Sequence, residues 1–321
     1  MTHTVLVTGG CGYIGGVATE ILSSIGYKVV VIDNLSTGHE DNLSKAVTFY
    51  KTDIGNTNEL KNIFSEHKID AVLHFAGAAL VGESINNPKK YFDTNFCQGH
   101  DLLTVMKLFN INKIVFSSTC AVYGIPEKHE IPIKETCCTK PINPYGESKL
   151  LFEGLLKSAK DTNGLQYIAL RYFNVSGSSE NHSEKHEPET HLIPLVIKAA
   201  KNKDYELKIY GKDYSTKDGT AIRDYVHVID LIDAHICALN ALFRNENCSN
   251  IYNVGYSKGY SVLEIVNAAK EVLNTDIKYI ITDKREGDPP ILIADSSKIK
   301  KELNWKPKHD NIKEIIRSAS K

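Results

Sequence analysis

Apolar residues recur in two rhythms along this chain. Short β-branched runs, Thr4 to Val7, Val29 to Ile32, Ala71 to Phe75, Ile114 to Ser117 and Tyr167 to Arg171, read as strands buried on both faces. Between the first two, Ile14, Val17, Ile21, Leu22 and Ile25 fall at helical spacing and stop at Gly26. This βαβαβ alternation predicts an α/β fold, a Rossmann-type doubly wound parallel sheet with crossover helices.

After Arg171 the rhythm breaks. Residues 178–190 read as a polar, mobile loop, Val226 to Leu242 as a helix, and Ile251 to Val254 as a further buried strand. Ser261 with Glu264 makes a capping box ahead of an amphipathic helix through Leu273. The expected organisation is a dinucleotide-binding domain over 1–173, with a returning segment at about 226–254. Residues 174–225 and 255–321 then form a smaller α/β substrate lobe.

Composition narrows the function classes. A net charge of −1 over 321 residues, without a basic block, gives no electrostatic support for nucleic acid or a membrane surface as partner. Seven scattered cysteines without a C-x-x-C pair argue against a zinc site and for reduced, cytoplasmic thiols. No apolar run approaches a membrane span, and the N-terminus runs straight into a strand-like segment without a signal-peptide pattern. His182, His186 and His191 lie in or beside the polar loop and read as solvated side chains, with no metal expected. Trp305 reads as a packing anchor.

Candidate chemistry gathers at strand ends. Gly9, Gly12 and Gly15 follow the first strand and open the first helix. That order suits a tight turn, a close approach of pyrophosphate and close helix–strand packing. A glycine triplet alone also marks plain turns. Asp33 ends the second strand, where a carboxylate binds ribose hydroxyls and disfavours a 2′-phosphate, so NAD is expected over NADP; alone it also reads as a turn-initiating Asp. Tyr145 and Lys149 share a helix face at i,i+4, and an adjacent ammonium, together with the positive charge of oxidised nicotinamide, is expected to lower a phenol's pKa toward use as a general base; in isolation the pair also reads as an amphipathic-helix pair. Thr119, in Ser117-Ser118-Thr119, ends another strand and offers a hydroxyl partner, or a simple cap. Arg223 and Arg285 have the fork geometry that neutralises a diphosphate, though a lone Arg more often makes a surface ion pair.

These residues carry a family signature. VTGGCGYIG, Asp33, HFAG at 74–77, SST at 117–119 and YGESK at 145–149 resemble the extended short-chain dehydrogenase/reductase family. VIDNLSTG (31–38), VGES (81–84), RYFN (171–174), HLIP (191–194), DGTAIRDYVHV (218–228), IYNVG (251–255) and REGDPP (285–290) are similar, in order, to its UDP-glucose 4-epimerases. The resemblance implies C4 inversion of a UDP-hexose through a 4-keto sugar, with the hydride lent to bound NAD and returned. It implies a homodimer as well.

Residue by residue, it implies that Tyr13, Ile14, Asp33, Asn34, Leu35, Ser36, Thr37, Gly38, Asp53, Ile54, Phe75, Ala76, Gly77, Ser117 and Phe173 join the glycines at NAD. Tyr145 is then the base, Lys149 its activator and a nicotinamide-ribose ligand, and Thr119 its hydroxyl partner. Asn174, His191, Leu192, Tyr210, Arg223, Arg285 and Asp288 are expected at UDP. Three positions depart from the pattern. Ala79 replaces a cofactor-side lysine, Thr94 an asparagine, and Leu292 is intermediate between the bulky and small residues that gate the sugar pocket. The rivals are a nucleotide-sugar 4,6-dehydratase and a non-catalytic NAD sensor. Cys120 and Ala121 stand where a dehydratase would have its Asp-Glu pair.

Overall fold

A computed structural model describes residues 3–44, 47–184, 187–285 and 287–321. Strands β1 (Thr4–Thr8), β2 (Lys28–Asp33), β3 (Thr48–Lys51), β4 (Ala71–His74), β5 (Lys113–Thr119) and β6 (Gln166–Tyr172) join one sheet with the strand Ile251–Val254. Its order is Ile251–Val254, β6, β5, β4, β1, β2, β3, and every pairing is parallel. The direction of strand addition reverses beside β1. A crevice therefore opens at the carboxyl ends of β1 and β4, the place where such sheets take ligands.

Side-chain alternation builds two cores from one sheet. Val5, Val7, Val29 and Val31 face Leu22, Leu231 and Ala238. Leu6, Val30, Ile32 and Val72 face Leu60, Ile63, Leu102 and Phe152. Continuous apolar strands are what a sheet covered on both faces requires.

Helix α1 (Tyr13–Ser24) is the expected crossover, with Val17 and Leu22 fully buried. It ends beside Gly26, whose φ of 95° suits glycine. The strand Ile251–Val254 and the capping box at Ser261 and Glu264 are also present, the latter opening the helix Val262–Leu273. Trp305 is the anchor expected: it is 1% exposed, and its indole N–H donates to the Asp230 carbonyl at 2.9 Å.

One boundary is corrected. Val226 belongs to the strand Ile222–His227, and the helix runs Val228–Phe243. The apolar pattern continues unbroken through both, so periodicity alone hid the junction. That strand is central to a second, smaller sheet. Asn174–Ser176 and Ile291–Leu292 pair with it in parallel and Gly259–Ser261 antiparallel. Leu207–Tyr210 and Tyr279–Thr282 form a further parallel pair.

The glycine loop supplies a stability prediction. A Cβ on Gly15 would lie 2.1 Å from the Gly9 carbonyl oxygen, whereas one on Gly12 would touch only that oxygen, at 3.4 Å. Gly15→Ala is expected to lower unfolding free energy by about 1–3 kcal/mol through overpacking. Gly12→Ala should cost about 1 kcal/mol or less. Urea unfolding of the two variants checks the contrast, and equal losses would contradict it.

Candidate active site

The loop after β1 is built to approach a ligand with its backbone. Gly9 has φ 73°, and a Cβ there would lie 2.6 Å from the Ala76 nitrogen. Gly12 is the N-cap of α1 and no side chain caps the helix, so the first-turn N–H groups keep free donor capacity at a positive helix end. Ile14 is partly buried against the core, while the Tyr13 ring is buried and its hydroxyl donates to the Gly177 carbonyl at 2.5 Å. The backbone of Tyr13 lies on the loop; its side chain instead fastens α1 to the chain after β6.

At the end of β2, the Asp33 carboxylate accepts the Cys11 N–H at 2.9 Å and the Leu35 N–H at 2.8 Å. Leu35 takes a left-handed φ of 59°, folding the turn back. A Cβ on Gly38 would lie 2.8 Å from Cys11 Cβ, so this turn rests on the glycine loop. Asn34, Ser36 and Thr37 are exposed, and Asn34 donates to Asp53 at 2.8 Å. The Ile54 side chain is in the core.

The predicted catalytic residues do meet. Tyr145 and Lys149 lie in the first turns of the helix Pro144–Asn163, which opens on an Asn143 cap and Pro144 at its start. The Lys149 ammonium donates to the Ser117 carbonyl at 2.9 Å. The Thr119 hydroxyl accepts the Ala121 N–H at 3.1 Å and lies close enough to the Tyr145 phenol to lower its pKa. Without the nicotinamide charge, burial sets the balance at both groups. Burial pushes Tyr145 up to about 12, with the Thr119 hydroxyl opposing, and burial pulls Lys149 down to about 8. The phenol is therefore raised by desolvation, while the Lys149 ammonium is directed at the Ser117 carbonyl.

Above β4, Phe75 packs beside His235 at 4.8 Å, Ala76 follows it, and Gly77 and Ala79 are exposed. Asn95, next to the predicted Thr94, is the residue tied into this corner. Its side chain exchanges hydrogen bonds with the Ala78 backbone at 2.8 and 3.0 Å and donates to Ser148 at 3.0 Å. It sits on a widened helical turn, Asp93–Cys97, a feature common at functional sites.

The smaller sheet gathers the second group. Arg223 pairs with Asp288 at 2.5 Å, and Tyr214, not foreseen, reaches Asp288 at 3.5 Å. The Arg285 guanidinium lies 4.0 Å over the Tyr210 ring. Leu292 stands in register with Arg223 and is buried with Phe173 and Tyr123, while Asn174 is in register with Tyr225. The charge of Arg223 lowers the Cys120 thiol's pKa against the effect of burial, so the Arg223 charge is felt next to Thr119.

With that geometry in place, comparison with known proteins is decisive. The model of the NAD dependent epimerase/dehydratase family matches residues 5–255. The chain belongs to this family. It is 47% identical over 319 residues to a UDP-glucose 4-epimerase of Lactobacillus helveticus, covering 99% of this chain and 96% of that one. Among solved structures, a UDP-glucose 4-epimerase from Brucella ovis in complex with NAD superposes with a TM-score of 0.95 at 39% identity, covering 99% of this chain and 98% of that one. One from Bifidobacterium longum in complex with NAD+ and UDP gives 0.91 at 37%, covering 99% and 97%. The resemblance read from the motifs thus holds over nearly the whole chain.

Within this family member, residues 179–182 of the polar segment are tied to α1. Ser179 and Asn181 both donate to the Glu20 carboxylate of α1. His182, expected in solvent, is 5% exposed, held 2.8 Å from Glu20 and against the Asn42 carbonyl. Polar composition concealed this because its partners lie far away in sequence. His186 lies outside the described residues. His191 stands at the N-cap position of the helix Leu192–Lys201, and its ring sits between Glu184 at 2.8 Å and Glu189 at 3.0 Å.

Burial alone would lower the His191 pKa, but the two carboxylates outweigh it and raise it to about 10. A raised histidine stabilises fully below its ordinary value near 6.5, and that contribution is lost as pH rises through about 10. The ring is 39% exposed, so solvent screens the effect. The stability gap between wild type and His191→Gln should be present at pH 6 and close above pH 10 in chemical denaturation. A gap that stays constant with pH would contradict the pairing.

Proposed function

We propose that this chain inverts C4 of a UDP-hexose with NAD as cofactor, interconverting UDP-glucose and UDP-galactose. The observation that carries the reading is the meeting of Tyr145, Lys149 and Thr119 at the carboxyl end of β5, within reach of the Arg223 group.

The residues fit NAD. Uncapped N–H groups at α1 beside Gly9 and Gly12 suit a pyrophosphate, and the Asp33 carboxylate, at the end of β2, suits ribose hydroxyls. Ser36 and Thr37 on the exposed turn, Asp53, Phe75, Ala76, Gly77 and Ala79 line the same edge of the sheet. When bound, NAD supplies the hydride acceptor and then the donor.

The chain's own groups manage the rest. Tyr145 removes the proton from sugar O4 and later returns it, with the Thr119 hydroxyl holding the phenol in line. Lys149, fixed on the Ser117 carbonyl, places a positive charge beneath that exchange. Arg223 and Arg285 neutralise the diphosphate, and Tyr210, Asp288, Asn174 and Leu192 frame the nucleotide. The smaller lobe, over 174–225 and 255–321, is the part that grips UDP while the sugar presents either face. Leu292, packed with Phe173 and Tyr123, closes the sugar side.

A dehydratase reading is disfavoured. Burial pushes the Cys120 thiol up to about 12, and Ala121 has no acid, so the positions after Thr119 offer no acid–base pair. A homodimer finds support in exposed Leu108 and Leu151 on the helices Gln98–Leu108 and Pro144–Asn163. All seven cysteines are free, in keeping with a reducing cytoplasm, and among the described residues no helix is long and apolar enough to cross a membrane.

Tyr145→Phe tests the reading. Turnover of UDP-glucose to UDP-galactose should fall about 10²–10⁴-fold while UDP affinity is kept. Turnover at the wild-type rate would refute the role of the phenol.

A further inference from the structure

Helix Pro144–Asn163 presents a third residue on the face of Tyr145 and Lys149. Glu153 follows Lys149 by four positions and is 4% exposed. The three residues meet three consecutive residues at the end of β5. Tyr145 lies beside the Thr119 hydroxyl, Lys149 donates to the Ser117 carbonyl, and Glu153 accepts from the Ser118 hydroxyl at 2.5 Å.

Glu153 is itself clamped. Arg171 donates to its two oxygens at 3.0 and 2.6 Å, and both side chains are 4% exposed. A third Arg171 donor reaches the Tyr123 hydroxyl at 2.9 Å, which in turn donates to Asn253 at 2.7 Å. Ser118, Arg171 and Asn253 stand in one register row across three neighbouring strands. All three are buried, at 1%, 3% and 0% exposure.

A buried ion pair in such a place contributes little net stability over apolar groups of similar volume, because two charges lose their hydration. Its effect here is geometric. A bidentate guanidinium–carboxylate pair fixes the angle of the helix as well as its distance. We propose that Glu153, clamped by Arg171, is a positioning residue that sets the placement of Tyr145 and Lys149 against Thr119 and Ser117. The inference rests on the catalytic roles proposed above for Tyr145 and Lys149.

Two variants test it beside wild type. Glu153→Gln keeps the shape and removes the charge. Glu153→Leu combined with Arg171→Met removes the pair without leaving a lone buried charge. Because small misplacements of reacting groups cost about 100-fold, kcat should fall by that order in both, with KM for UDP-glucose near the wild-type value. The double variant should melt at or above the wild-type temperature. In Glu153→Gln the Arg171 charge loses its counter-ion, so the midpoint of the rise of kcat with pH should also move downward, a change that a purely structural role does not produce.

A double variant that melts normally and turns over like wild type overturns the proposal, as does a folded Glu153→Gln with unchanged kcat and pH profile. Absence of epimerisation in wild type itself would overturn this role and the proposed reaction together. Normal wild-type turnover with unimpaired variants overturns this role alone.

Discussion

A single seam, where the helix Pro144–Asn163 closes on the last three residues of β5, sets the geometry on which the site depends. Strand β5 is fixed on both sides by β4 and β6 and covered above and below by apolar side chains, so its end cannot wander. The helix brings a phenol, an ammonium and a carboxylate to that end at successive turns. A rigid scaffold holding polar groups at a strand terminus is how a doubly wound sheet turns packing into chemistry.

That arrangement has an energetic cost borne by the surrounding core. Lys149 and Tyr145 are both shifted against their charged forms by burial. Isolated, such groups would destabilise the fold; here each has a partner on β5, and Asn95 links the helix through Ser148 to the loop after β4. The glycine loop adds a second constraint. A Cβ on Gly9 would press on the backbone of Phe75 and Ala76 after β4, and one on Gly15 on the Gly9 carbonyl, so both glycines are needed where the loop sets the N–H groups of α1 beside the crevice.

Much of this was legible in the chain. Two-sided apolar strands and the glycine spacing specify the parallel sheet, because only that architecture buries both faces. The i,i+4 pair Tyr145 and Lys149 was readable because helix geometry places them together irrespective of context. What escaped depended on distant partners. The junction at Val226–Val228 was masked by continuous apolar sequence, and the anchoring of His182 by Glu20 joins residues far apart in sequence. The upward push that burial gives the Tyr145 phenol in the protein alone was hidden for the same reason. Pairwise charge is visible in spacing, but the depth of burial emerges only once the whole fold encloses the ring. Glu153 lay at the next turn of the same face, so its signal was present, and its meaning came from Arg171 across the sheet.

The central claim is that the hydrogen on sugar C4 leaves and returns to the same carbon without passing through solvent. It is tested most directly with UDP-glucose deuterated at C4, by measuring the label in the UDP-galactose formed. The account predicts that the deuterium remains at C4 of the inverted product. Loss of the label to water, or a product inverted elsewhere, would contradict it.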